Sequence, residues 1–535
     1  MFTRYFTAVV LLAVMGCVED AVVTDSTPTA TMKKAYLNPS DAYADLFMEV
    51  QMGEIFEDSK TFVDMPPLRP VEAIMADYAE QSKSVDFDLK VFLKANFEDL
   101  PDLSNGFSSD KTLNLDAHIE RLWPVLNRDE EAQNESGSLI ALPNDYIVPG
   151  GRFREVYYWD SYFSMLGLLV DGQQEYAKNM VDNFAFLIDE FGFIPNGNRA
   201  YYLSRSQPPF FAPMVGLLVE ELGDSVLLEY LPALEKEYTF WMLGSKNLEK
   251  PGDATLRTAR IKGDFIVNRY HDNNARPRPE GYREDSLLAK NSERDSKELY
   301  TNLRAACESG WDFSSRWLVD PNDLGTIQTS NIAPVDLNSL LYYLEDMLAE
   351  ANELKGDVKR SQYFAKLAYE RRRALLTRFY DAELKWFVDY QLDRESSNSN
   401  ATLAGMYPLF FGLATDAQAE EVAERLELDF LKPGGLVTSL ENTGQQWDSP
   451  NGWPPLQWVA IAGLRKYGHK KLAKEIARRW LNSGRKVYAE TGKVVEKYNV
   501  VDTTLQAGGG EYPNQDGFGW SNGVFARIIH DYPKL

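Results

Sequence analysis

Four segments of the 535-residue chain bring carboxylates, arginines, glycines and tryptophans together at spacings that could do chemistry. The first, Pro149 to Tyr162, reads PGGRFREVYYWDSY. Its glycines permit a tight turn, while Arg152, Trp159 and Asp160 offer a charged fork, a flat face and an acceptor. Those are tools for gripping hydroxyls, but they equally suit a loop with a core Trp and a structural Arg–Asp pair. The second, Glu308 to Trp317, reads ESGWDFSSRW and sets Asp312 among aromatic rings. An apolar wall disfavours the charged form of a carboxyl, and a general acid working near neutral pH needs that. A capping or surface Asp beside a Trp reads the same way. The third, Gln445 to Trp458, packs three Trp and three Pro into fourteen residues. A sugar platform and a structural plug look alike there. The fourth joins VEKYN (495–499) to GGGEYPNQDGFGWSNG (508–523), so that Glu496 and Glu511 flank a glycine loop able to approach a ligand closely.

Composition narrows the chemistry. A formal charge of −24 opposes binding to nucleic acid and favours a neutral substrate over a phosphorylated one. Four His and two Cys show no metal-ligand spacing, and neither a P-loop nor a G-x-S-x-G elbow occurs. Carboxylates are left to run the reaction, with no metal or cofactor expected. The 11 Trp, 28 Tyr and 28 Phe suit a cleft that packs on the C–H faces of pyranoses, although a large core uses rings too.

The amino terminus reads as an export signal. Arg4 precedes an apolar stretch, Phe6 to Gly16, that is too short to span a bilayer. Val14-Met15-Gly16-Cys17 resembles a bacterial lipoprotein signal with Cys17 as the lipidated residue, although Leu is commoner than Val at its first position, and simple cleavage nearby is the alternative. Residues 18–35 form a polar tether, and 36–535 are expected to be one catalytic domain without an internal low-complexity linker.

The elements that must hold the four segments are helices. From Asp336 to Leu354, apolar residues recur at three- and four-residue steps between Pro334 and Gly356. Similar patterns predict helices at 160–170, 174–190, 211–222, 225–243, 361–379, 415–426, 456–466 and 470–483. Strand-like runs are few and short, such as Trp386 to Tyr390. One core of this size is unusual, and a closed ring of helix pairs evades that limit.

Segments one and three together resemble the two signatures of the trehalase family of glycoside hydrolases, its bacterial periplasmic members above all. The first, P-G-G-R-F-x-E-x-Y-x-W-D-x-Y, is met at every fixed position from Pro149 to Tyr162. The second, Q-W-D-x-P-x-G-W-A-P, is met from Gln446 to Pro455, except that Pro454 replaces Ala. The resemblance runs in order from about residue 36 to 530. It implies an all-α (α/α)6 barrel, or toroid, acting on α,α-trehalose with inversion at the anomeric carbon; a monomer is expected. By motif position it implies Asp312 as general acid, Glu496 as general base and Glu511 as a further site carboxylate. It also implies sugar contacts from Arg152, Trp159, Asp160, Asn196, Arg205, Gln207, Arg278, Glu280 and Gly310. Asn499 stands where the periplasmic members have Asp, and the glycine run before Glu511 is shorter, so the loop closing on the substrate is expected to differ. Two other readings stay open: an inverting carbohydrase for a different α-glucoside, and a non-catalytic sugar receptor.

Overall fold

The computed structural model describes residues 36–100, 107–129, 137–508, 514–515 and 517–535. Cys17, the tether at 18–35 and Glu511 lie outside the described residues.

Twelve helices build a closed double ring. In chain order they are α1 (Leu115–Leu126), α2 (Tyr158–Val170), α3 (Gln174–Phe191), α4 (Phe211–Leu222), α5 (Ser225–Trp241) and α6 (Val335–Lys355). They continue with α7 (Val358–Ala374), α8 (Tyr407–Phe410), α9 (Asp416–Arg425), α10 (Pro454–Lys466), α11 (Lys470–Thr491) and α12 (Gly519–Asp531). The even-numbered helices form the inner ring: α2 touches α4, α4 touches α6, and so on through α8, α10 and α12 back to α2. The odd-numbered helices lie outside, with α3 across α2 and α4, α5 across α4 and α6, and α11 across α10 and α12. That is the (α/α)6 architecture.

Inner and outer helices differ in composition for a physical reason. Helix α2 is apolar around nearly its whole circumference, since it has neighbours on all sides, whereas α11 carries one apolar stripe on an otherwise charged helix. The ring closes where α2 meets α12, and there glycines face each other. A Cβ on Gly167 would lie 2.6 Å from the Cα of Gly523, and one on Gly523 would lie 2.0 Å from the carbonyl oxygen of Phe163. Only hydrogen fits at either position.

The predicted span 211–222 coincides with α4, and 336–354 is extended by one residue at each end. The 361–379 helix starts earlier and finishes in a π turn, Leu375–Phe379, while α11 runs eight residues beyond its predicted end. Helices α1 and α12 were not foreseen, nor was the antiparallel sheet Ala254–Thr255, Thr258–Ile261, Phe265–Asn268. Among the described residues, no helix is long and apolar enough to cross a membrane.

Residues 36–100 add a small helical lobe with its own apolar cluster around Phe47, Phe62 and Phe97. Tyr157, Tyr201 and Tyr202 of the barrel insert into that cluster, so the lobe sits against the loops that carry the first chemical segment.

Candidate active site

The first segment turns into α2 through two glycines with positive φ, Gly150 at 102° and Gly151 at 61°. A Cβ on Gly151 would lie 2.3 Å from Oε1 of Gln515, the oxygen that accepts a hydrogen bond from the Arg152 amide at 2.8 Å. The Arg152 guanidinium grips Asp58 of the lobe through two bonds of 2.7 and 2.6 Å. Glu155, fully buried, accepts from Tyr157 and pairs with Lys60 and Arg199. Burial pushes the Glu155 carboxyl up, but the two cations outweigh it and hold the group at about 2. Trp159 and Asp160 open the first turn of α2. Burial, reinforced by the charges of Glu496 and Asp312, pushes Asp160 well above the carboxylate range.

A second wall comes from two loops. Asn196 and Arg205 bond each other through main chain (3.0 Å) and side chain (3.1 Å), and Gln207 accepts from the Trp159 amide. Arg205 donates to Glu280 at 2.5 Å and lies over the Tyr202 ring. Its Nη1 and the Oε2 of Glu280 are buried without a partner in the protein. Burial raises the Glu280 carboxyl, and Arg205, Arg278 and Arg304 more than reverse that, leaving it below its ordinary value. Arg278 is locked by Asp285 and donates to the Cys307 thiol at 3.2 Å. Glu308 staples these loops together by accepting from Arg257 and from the amides of Ser206 and His271.

The Asp312 loop is fixed at both ends. Gly310, at φ +74°, lets the chain pass the Trp159 indole, which a Cβ would meet at 2.8 Å. Beyond Asp312, Ser314 and Ser315 are bound by Asp448 of the third segment. Arg316 then sinks into the core between Asp336 and Asp389, with four bonds of 2.8 Å. The third segment also pairs with the fourth, Asn451 opposite Asn499 and Gly452 opposite Tyr498, and this carries Glu496 to the cavity. The Glu496 amide donates to the Gln515 carbonyl, and its own carbonyl accepts from the Trp520 indole, both at 3.0 Å. Lys497 reaches from the Glu496 carboxylate (3.1 Å) to Gln446 (3.0 Å), whose amide donates to the Asp312 carbonyl.

The result is one cleft with about 690 Å³ of empty space, its open mouth included. All eleven sequence-predicted site residues that fall among the described residues line it: Asp312 and Glu496, with Arg152, Trp159, Asp160, Asn196, Arg205, Gln207, Arg278, Glu280 and Gly310. The third segment proves to be divided. Trp447 and Trp453, stacked face to face at 3.8 Å, line the cleft, whereas Trp458 is buried away from it beneath Arg527. The sequence did not single out Lys60, Tyr202, Gln446 or Lys497 as site residues. Gln446 and Lys497 do stand inside the quoted segments, but nothing local shows that residues so far apart in the chain touch. Asn499, the departure in the fourth segment, accepts from the amides of Val501 and Asp502, a turn-closing bond that Asp would also make.

A model of the Trehalase family matches residues 54–533. The periplasmic trehalase of Xanthomonas campestris pv. campestris (strain 8004) is 46% identical over 517 residues, covering 96% of this chain and 89% of its own. That of Pseudomonas aeruginosa is 46% identical over 495 residues, covering 92% and 90%. Among solved structures, the neutral trehalase of Saccharomyces cerevisiae superposes with a TM-score of 0.60 at 29% identity, covering 72% of this chain and 73% of that one. Fold, cleft and these similarities agree: the chain belongs to the trehalase family.

Proposed function

We propose that the chain hydrolyses α,α-trehalose to two glucoses by inverting acid–base catalysis, with Asp312 as acid and Glu496 as base. Protonated Asp312 donates to the glycosidic oxygen while Glu496 takes a proton from a water that attacks the opposite face of the sugar. Inversion needs room for that water, so the two carboxyls should stand ~6.5–9.5 Å apart when substrate is bound. The observation that carries the proposal is the shared cleft, lined by both carboxyls together with the Trp447–Trp453 stack and Arg205, itself fixed between Asn196 and Glu280.

Charge supports a neutral disaccharide. Each cation on the cleft wall is matched by a carboxylate: Arg152 by Asp58, Arg205 by Glu280, Arg278 by Asp285, and Lys60 by Asp64 and Glu155. The charge of each is thus already balanced, which disfavours a phosphorylated sugar. The arginines remain strong donors to hydroxyls, and the resemblance implies Glu511 as a further site carboxylate.

Proton NMR of trehalose hydrolysis tests the proposal, because it reports substrate and stereochemistry together. One β-glucose per cleavage, before mutarotation, is expected. Initial release of α-glucose alone, or a preference for maltose over trehalose, overturns it. Asp312→Asn and Glu496→Gln should each lower kcat by about 10²–10⁴-fold. Retained turnover in both would overturn the assignment of acid and base, whereas absence of any hydrolysis by the wild-type protein would favour a sugar receptor.

The same reading places the enzyme in the periplasm, as the relatives named periplasmic trehalases suggest, and takes it to act as a monomer. Lipid attachment at Cys17 is tested by palmitate labelling, which Cys17→Ala should abolish.

A further inference from the structure

We infer that Lys497 is a positioning residue for Glu496: its buried ammonium, held by Gln446 and the face of Trp453, fixes that carboxylate and aims it into the cleft. The inference rests on the acid–base reading above and deepens it.

Lys497 has no exposed surface. An ammonium buried alone costs a great deal. This one is compensated by Glu496 Oε2 at 3.1 Å, by Gln446 Oε1 at 3.0 Å and by the face of Trp453, 5.1 Å from its ring centre. The other end of Gln446 donates to the main-chain carbonyl of Asp312. One line of bonds therefore joins the carboxylate of the base to the backbone of the acid.

Two carboxyls that face one cavity resist being ionised together, and the chemistry requires that a particular one of them lose its proton. The cleft offers few other means of breaking that tie. Lys60, Arg152, Arg205 and Arg278 are engaged by carboxylates of their own. Asp160 faces both groups, but burial pushes it towards its neutral form, so it does not compete for the ammonium. The thiol of Cys307 and the hydroxyls of Tyr157 and Tyr202, also on the wall, are pushed up by burial and stay neutral. The Tyr498 hydroxyl accepts from the Val495 amide behind the loop. Lys497 is the cation built against the base itself.

Steady-state kinetics of Lys497→Met and Lys497→Arg, on trehalose and on α-glucosyl fluoride across pH, test the assignment. Fluoride departs without a proton, so its hydrolysis needs the base and not the acid. Lys497→Met should lose on the order of 10²-fold in kcat on both substrates with KM little changed. Its acidic limb of kcat/KM should move to higher pH, and Lys497→Arg should restore most of the loss. A kcat that is unchanged, a loss confined to trehalose, or an acidic limb that stays in place overturns the role. Should Lys497→Met fail to fold by circular dichroism, Gln446→Met carries the same test. It removes the second acceptor of the ammonium and keeps its charge, so a smaller loss on both substrates is expected, and full activity counts against the role. Glu496→Gln, measured alongside, separates the two readings. Activity retained there sinks the base assignment itself, whereas its loss beside an unaffected Lys497→Met sinks only the part given to Lys497.

Discussion

Asp448 holds Ser315 twice, accepting from its amide at 2.8 Å and from its hydroxyl at 2.9 Å. The same carboxylate also accepts from the hydroxyls of Ser314, Ser439 and Thr443. With its oxygens facing donors throughout, Asp448 acts as the anchor of the loop that presents Asp312.

Asp448→Asn should therefore damage a loop it resembles in shape. Half of its acceptor capacity becomes an NH2 that faces donors, which costs about 1–3 kcal/mol of stability by the usual penalty for a buried unsatisfied group. A denaturant titration measures that loss. In the folded fraction, kcat should fall by about tenfold or more through misplacement of Asp312. Wild-type kcat at wild-type stability would show that the five bonds do not position the acid.

Arg152 depends on the lobe. Asp58→Asn releases the guanidinium from its two-bond grip and should raise KM for trehalose more than it lowers kcat. Burial raises the Asp58 carboxyl, yet Arg152 and Lys60 hold it below its ordinary value. The pair is therefore intact above that ordinary value and is lost as pH falls through the depressed one. A KM measured from pH 7 down to 4 should stay level in wild type, because that range lies above the depressed value, and should already be high at pH 7 in the variant.

Gly310→Ala is expected to be poorly tolerated. The residue adopts φ +74°, and an added methyl would press on the Trp159 indole at 2.8 Å. Strain of about 1–3 kcal/mol should appear as a lower Tm. Displacement of Trp159 should appear as a weakened glucose-induced change in tryptophan fluorescence.

Glu237, in the core of the barrel wall, contributes to the pH dependence of stability. Burial pushes its carboxyl up to about 8, with the Tyr158 hydroxyl donating to it and opposing the shift. The folded state therefore keeps a proton that the unfolded chain releases near its ordinary pKa. The contribution of Glu237 is fully present below that value and is lost as pH rises towards 8. Glu237→Gln should remove this slope. Its Tm relative to wild type should climb between pH 5 and 8, and parallel Tm curves for the two proteins would count against the assignment.

The legible parts of the sequence were those where one physical demand acted alone. Helix α6 announces itself because its apolar stripe is regular and its ends carry Pro334 and Gly356. Helix α12 begins Gly-Trp-Ser-Asn-Gly, a poor helix-forming run, because Gly523 must lie against Phe163 and Trp520 must reach the cleft. Contact requirements there override propensity. The ion pairs that anchor the Asp312 loop were hidden for another reason. Asp336 and Asp389 meet around Arg316 from two remote segments, and no periodicity records such a meeting. The residues of the cleft wall were recovered from motif resemblance, since Asn196, Arg205 and Gln207 sit in a loop without regular pattern.

The meeting of Gly167 with Gly523 also bears on how the molecule comes into being. These glycines belong to the first and last helices of the inner ring, so the ring stays an open arc until nearly all of it has been made. Phe518 and Trp520, beside that seam, are part of the cleft wall. Binding competence is thus a late property of the chain, acquired in the step that seals the barrel. Such long-range closure is slow compared with local helix formation. During that interval the apolar surface that α2 and α12 bury against each other stays exposed, and such surface is where aggregation competes with folding.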